Sequence, residues 1–335
     1  MEKPSLPRPP RLLALLAAGA LSFGNGGLQA APPPAGDTWV QHLALRKDLA
    51  NGTEWVFALA LSGNGSLLAA AGRDRTIHLW NLDSDIGLSA TDFTHVGSIY
   101  TLAISPDGNT LASGSLDTNI KLWNLAKTTP LRTLRSATKA PVTAVRFSPD
   151  GRRLVASNQD GRLSVWNTAN WSVRRIDNSR ARSTYALAAA TRRFATGDAD
   201  GKIRIWAYDR SVVVAGPIAA HPGPIFALAY SPDQKTLASA GDDRTIRLWT
   251  LRTGREALRL ASPSPATSLA YSPDGQILLS THTDGRIRFW SLTDGRPIHE
   301  LSAHSGPVWA AALAPAKRAM VSAGSDGAVK LWQSP

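Results

Sequence analysis

Apolar and polar positions in this chain repeat a short phrase, and the phrase is clearest from Ile99 onward. Ile99-Tyr100-Thr101-Leu102-Ala103-Ile104 has strand length, Ser105-Pro106-Asp107-Gly108 is a turn, Thr110 to Gly114 is a second strand, and Asn119 to Trp123 is a third. The first run is apolar on both faces, as strands are when each side of their sheet is covered by a neighbour. In the turn, proline fixes φ at the second position and glycine closes the fourth, which suits type I geometry. The same turn recurs as Ser148-Pro149-Asp150-Gly151 and Ser272-Pro273-Asp274-Gly275, and with one change as Ser231-Pro232-Asp233-Gln234. Residues near Leu131 to Leu134 supply a fourth, outer strand.

Seven tryptophans set the period: Trp80, Trp123, Trp166, Trp206, Trp249, Trp290 and Trp332 each stand six residues after an aspartate, namely Asp74, Asp117, Asp160, Asp200, Asp243, Asp284 and Asp326. The steps between them are 43, 43, 40, 43, 41 and 42 residues. A four-stranded unit recurring at that interval is one blade of a β-propeller. An all-β, seven-bladed β-propeller over residues 39–335 is therefore expected, with no second domain. The last repeat ends at Lys330-Leu331-Trp332-Gln333-Ser334-Pro335, one strand short. Trp39-Val40-Gln41-His42-Leu43-Ala44-Leu45 is strand-like and unpaired, so it is predicted to complete the seventh blade as its outer strand and close the ring.

The first residues differ in character. Lys3, Arg8 and Arg11 precede an apolar run from Leu12 to about Phe23 and then Leu28-Gln29-Ala30, the layout of a signal peptide over residues 1–30, cut after Ala30. Residues 31–38 follow as a Pro-rich linker. The run is short for a bilayer, which needs roughly 20 residues, so no membrane-spanning segment is expected. Cysteine is absent, which removes disulfides, thiol ligands and thiol-borne lipid anchors. An exported chain without cysteine fits a bacterial periplasm or exterior; sequons at Asn51, Asn64 and Asn170 keep a eukaryotic origin open.

Net charge is +12, and loss of residues 1–30 would leave about +10. Such a balance favours polyanions. Part of it belongs to the repeat, however. Two residues before the ladder tryptophan stand Lys121, Arg204, Arg247, Arg288 and Lys330, with His78 and Ser164 at the other two places. A cation there can lay its stem on apolar neighbours and put its head in solvent or over a ring.

These residues resemble the WD-repeat propellers over nearly all of 39–335. In that family a histidine before the first strand, a serine or threonine in the second, the turn aspartate and the ladder tryptophan form a buried tetrad. The resemblance implies three complete sets here: His95, Ser113, Asp117 and Trp123; His221, Ser239, Asp243 and Trp249; His304, Ser322, Asp326 and Trp332. It further implies that histidine, serine and tryptophan all bond to the aspartate. Elsewhere the histidine is replaced by Gly52, Thr138, Arg180 and Ser262, and those blades are expected to be less rigid. The fourth repeat also lacks the Ser-Pro-Asp-Gly turn and runs Ala188-Ala189-Ala190-Thr191-Arg192-Arg193, and the namesake Trp-Asp dipeptide is missing throughout.

Catalysis is not expected. A triad needs an exposed serine on a histidine oriented by its aspartate, and repetition at blade spacing is a packing signature. No zinc-protease or phosphate-loop motif is present, and the histidines give no reason for a metal or other cofactor site. A partner surface is the better reading. One residue into each first strand stand Phe57, Tyr100, Thr143, Tyr185, Phe226, Thr267 and Trp309; the resemblance puts this ring near the mouth of the central channel, either as a peptide-docking ring or as a plug. By the same resemblance Trp55, Arg73 and Asp242 share that face. Trp171, outside the ladder, is expected to pack in the outer strand of its blade. The function expected is non-catalytic protein or peptide binding in an exported compartment, where no nucleic acid is expected. The alternative is electrostatic binding of an acidic glycan, another polyanion or an anionic cell surface, and an enzyme site at the channel mouth is the remote one.

Overall fold

The computed structural model describes residues 39–335 apart from 52–53, 85, 89–92, 137, 179–180, 182 and 211–212. The expected leader and linker, together with Gly52 and Arg180, lie outside the described residues.

The described strands form seven four-stranded antiparallel sheets. Blades 1 to 6 are consecutive, spanning 56–88, 99–135, 142–176, 184–219, 225–261 and 266–302. Blade 7 takes three strands from 308–333 and its fourth from the other end of the chain, where Ala44–Asn51 pairs antiparallel with Ala328–Gln333. Ring closure by an N-terminal strand is as the sequence predicts, but its boundaries need correcting. Trp39–His42 is a 3-10 turn rather than strand. Trp39 and Val40 are both buried. The turn points both into a cluster with Phe289 of blade 6 and Met320 and Trp332 of blade 7. The chain then begins pairing at Ala44 opposite Gln333.

Seven hydrophobic clusters each straddle two neighbouring blades. Ile99, Leu102 and Ile104 of blade 2 meet Ala58, Ala60, Ile77 and Leu79 of blade 1, so the inner strand is buried on both faces and its small residues set the distance between sheets. Truncating one of the large apolar residues to alanine would cost about 2–5 kcal/mol.

The Ser-Pro-Asp-Gly turns form as read. Gly108 N–H donates to Ser105 O at 2.9 Å, Gly108 takes φ +75°, and Ser105 Oγ accepts Thr110 N–H while donating to Asp107. In blade 4 the missing turn is a tight hairpin in which Ala190 N–H donates to Arg193 O at 2.8 Å across Thr191 and Arg192. Blade 5 compensates on one side. Gln234 holds the glycine position at φ +57°, and its amide brackets Thr191 through bonds of 3.1 and 2.9 Å.

Candidate functional site

Antiparallel order separates the loops into two faces. The Ser-Pro-Asp-Gly turns join first to second strands; the aspartate turns join second to third strands and share their face with the segments that enter each blade. On this aspartate face the residue before each ladder aspartate donates its N–H to a carbonyl just ahead of the inner strand: Arg73 to Trp55, Leu116 to Ser98, Asp242 to Pro224, Ser325 to Pro307. That bond fixes where each side chain leaves the disc.

The three complete tetrads are present, with wiring different from the implied one. In blade 2 Trp123 Nε1–H donates to Ser113 Oγ at 2.9 Å, Ser113 Oγ lies 2.7 Å from His95 Nε2, and His95 Nδ1 lies 2.8 Å from Asp117. Blades 5 and 7 repeat the relay through Ser239 and His221 to Asp243, and through Ser322 and His304 to Asp326. Tryptophan and serine thus do not touch the aspartate; the histidine separates them. Burial works against the Asp117 and Asp326 anions, but the histidine and backbone N–H groups outweigh it and hold both carboxyls down at about 2. Each serine is buried, with its oxygen committed to the indole and the imidazole, so none offers a nucleophile to solvent.

In blades 3, 4 and 6, which lack the loop histidine, a strand residue stands at the position beside its space. In blades 5 and 7 the second strand carries Gly241 and Gly324, and a Cβ there would lie 2.5 Å from His221 and 2.8 Å from His304. The aligned residues in blades 3, 4 and 6 are Asn158, Asp198 and His282, all buried. Asn158 accepts from Ser136 and donates to Ala140 O; Asp198 accepts from Thr184 and pairs with Arg204. Burial pushes the Asp198 carboxyl up to about 7 even so. His282 lies 2.7 Å from Ser280 Oγ, which accepts Trp290 Nε1–H, and 3.2 Å from Ser262 Oγ. The sequence signal for this exchange is a bulky polar residue two places after Ala156, Thr196 and Ser280, where glycine stands in blades 5 and 7.

The ladder cations also need correcting. Lys121 does lie over the Trp123 ring, 5.7 Å from its centre. The arginines instead turn back onto the aspartates four residues earlier, Arg247 to Asp243 at 2.8 Å and Arg288 to Asp284 at 2.7 Å. The charge of these arginines is therefore met within their own blades. Arg146 is a further buried cation that sequence reading passed over: the other six blades have alanine at its register, from Ala60 to Ala312. Its Nη1 reaches Thr101 Oγ1 at 3.2 Å, and burial pushes the guanidinium down to about 9.

Of the ring residues, Phe57, Tyr100, Tyr185 and Trp309 come together in one cluster, none more than 7% exposed. Phe57 lies 5.6 Å from Tyr100 and 6.4 Å from Trp309, centre to centre. Phe226 is buried as well but stands outside this group. As they sit, these five rings pack the interior and are not laid open as a docking ring. Thr143 and Thr267 donate to Thr184 O and Val308 O of the following blades, stapling inner strands together.

What faces solvent is Trp55, half-buried and edge-on to Phe57 at 6.1 Å, with the Arg73 guanidinium 5.8 Å from its ring centre and paired to Glu54 at 3.3 Å. Asp242 is exposed on the same face in blade 5, outside the aromatic cluster. Two residues that sequence reading missed lie in blade 2: Val96, 82% exposed, and Leu116, 44% exposed. Val96 N–H donates to Asp117, and its neighbour Gly97 lies against Leu116, so both residues flank the aspartate turn of blade 2. Trp171 is not in an outer strand; it sits in the preceding turn at φ +57° and lines a cavity of about 1030 Å³ on the opposite face. Among the described residues no cluster of His, Asp or Glu could hold a metal ion, and no helix is long and apolar enough to cross a membrane.

Comparison with known proteins adds the family. The model for the WD domain, G-beta repeat, matches residues 45–81, 88–124, 128–167, 214–250 and 295–333, and that for the anaphase-promoting complex subunit 4 WD40 domain matches 260–313. The chain is similar to a protein transport protein SEC13 of Pyricularia oryzae, 38% identical over 20% of this chain and 26% of that protein. It is likewise similar to WD repeat-containing protein 1 of Mus musculus, 39% identical over 22% of this chain and 12% of that one. Protein HIR1 of Eremothecium gossypii matches at 34% over 21% and 11% respectively. The chain thus spans between about a tenth and a quarter of the length of these relatives. With a repeat model covering more than half of its length and seven closed blades in the structure, the chain belongs to the WD-repeat propeller family.

Proposed function

We propose that this propeller is a non-catalytic scaffold that docks a protein or peptide on its aspartate face, over blades 1 and 2. The observation that carries the reading is the exposed set there: Trp55 backed by the buried aromatic cluster, the Arg73–Glu54 pair beside it, and Val96 with Leu116 on the next blade. An aromatic anchor next to an arginine and exposed aliphatics, rimmed by both signs of charge, has the make-up of an interface centre. Rings fixed from below lose little side-chain freedom on binding. The similarity to relatives described as transport and repeat proteins is consistent with an interaction role.

Export to a periplasm or the cell exterior belongs to the same proposal and rests on the sequence pattern of residues 1–30. Affinity capture from the native extract tests the docking face, comparing the wild-type domain with Trp55→Ser/Arg73→Glu by quantitative mass spectrometry. Loss of about ten-fold or more in recovery of the same partners is expected. Equal recovery by both baits refutes the assignment. Binding of acidic polymers is the second reading, favoured by the net charge of +12 and distinguished by steep loss of affinity with salt.

A further inference from the structure

The opposite face carries a second feature, and it grows from the irregular fourth repeat. Blade 4 replaces Ser-Pro-Asp-Gly with the tight hairpin around Thr191 and Arg192, so its turn is two residues shorter than that of blade 3, and an arginine stands where four other blades have a serine-capped aspartate. Gln234 grips the hairpin from the blade 5 side at 2.9 and 3.1 Å, and Arg193 adds a bond to Gln234 O at 3.0 Å. The hairpin is held there, and the space left on the blade 3 side is a cleft of about 450 Å³. Its wall holds Arg152, Arg153, Arg192 and Arg210 against only Asp150 and Asp209.

The state of those groups decides what the cleft can do. Arg152, Arg192 and Arg210 are exposed, and none of the three has a salt-bridge partner among the described residues. Asp150 is already engaged, its Oδ1 accepting from Ser148 Oγ and from Arg152 N–H. Tyr208 forms a firm floor, with its hydroxyl donating to Ala190 O at 2.9 Å. Most ladder arginines are neutralised inside their blades, so this cleft is where unpaired guanidiniums converge. Guanidinium forks match tetrahedral and planar oxyanions bidentately, and several in one concavity favour a multiply charged ligand. The volume suits a small molecule, and no exposed aromatic ring lines it to stack a base.

We propose that the cleft between blades 3 and 4 binds a multiply charged phosphate or sulfate group through Arg152, Arg192 and Arg210, independently of the docking face above. Three probes would be titrated calorimetrically into the intact protein: inorganic pyrophosphate, a sulfated disaccharide, and vesicles containing phosphatidylglycerol. The probe that binds tightest identifies whether the anion is free, sugar-borne or lipid-borne. Arg192→Ser and Arg210→Ser are each expected to weaken that binding about ten-fold or more. Arg135→Ser, on the exposed outer strand of blade 2, removes the same charge elsewhere and is expected to leave affinity within about two-fold. Absence of binding by all three probes overturns the proposal. So does equal weakening by Arg135→Ser and Arg192→Ser, which would mean diffuse attraction to a basic protein and no site.

Discussion

His282→Asn should remove most of the loss of stability that acid causes in blade 6. His282 is fully buried, bonded to Ser280 and Ser262, and close to the Arg288 guanidinium. Burial first, and Arg288 second, push its imidazole down from 6.5 to about 4, against the opposing pull of Ser264 O, Asp284 and Glu300. In the window between those values the unfolded chain holds the proton and the folded one does not. The stability that His282 contributes therefore falls as pH drops from about 6.5 to about 4 and levels off below, by about 3 kcal/mol in all, while Asp198, pushed up to about 7, acts in the opposite sense over the same window. Urea unfolding followed by tryptophan emission, repeated from neutral pH down to about 4, measures the slope. His221, which burial also pushes down, and Asp198, which burial pushes up, act in opposite senses and set the residual slope of the variant. The reasoning fails if the stability difference between wild type and His282→Asn changes by less than about 1 kcal/mol across the window, Asp198 contributing alike to both. A companion swap sharpens the test. Ser262→His combined with His282→Gly recreates the arrangement of His221 over Gly241, and should be more stable than His282→Gly alone by about 1 kcal/mol or more.

Two further outcomes follow from packing and backbone geometry. Trp39→Ala should destabilise the ring by about 3–5 kcal/mol and expose the Ala328–Gln333 amides to hydrogen exchange, whereas Leu45→Ala, half exposed in the same closing segment, should cost less than about 1; comparable effects of the two would deny that the 3-10 turn is the clasp. Gln234→Ala should be less stable than Gln234→Gly by about 1 kcal/mol in chemical denaturation, because both lose the clamp on Thr191 but only glycine tolerates φ +57° freely; the reverse order would contradict the strain.

The blade count, the inner strands and the turns could be read from the chain because their causes are local. Two-faced apolar runs, Ser-Pro-Asp-Gly and an aspartate six residues ahead of each tryptophan act within one repeat, and ring closure followed from one surplus strand at one end and one deficit at the other. Trp55, Arg73 and Asp242 could be placed on one face for the same reason, since each sits at a fixed step from its own blade's strands. Contacts between repeats were different. Whether Phe57, Tyr100 and Trp309 stand open or fill the interior depends on how closely seven wedges approach one another, and no single repeat encodes that distance. Asn158, Asp198 and His282 look like ordinary strand-end residues until the space vacated by an absent loop histidine is seen beside them. The four-arginine cleft needs a short hairpin in blade 4 and a full turn in blade 3 side by side. Period and turn chemistry are properties of the chain, while burial, ion pairing and clefts are properties of the distances between segments, and only folding sets those.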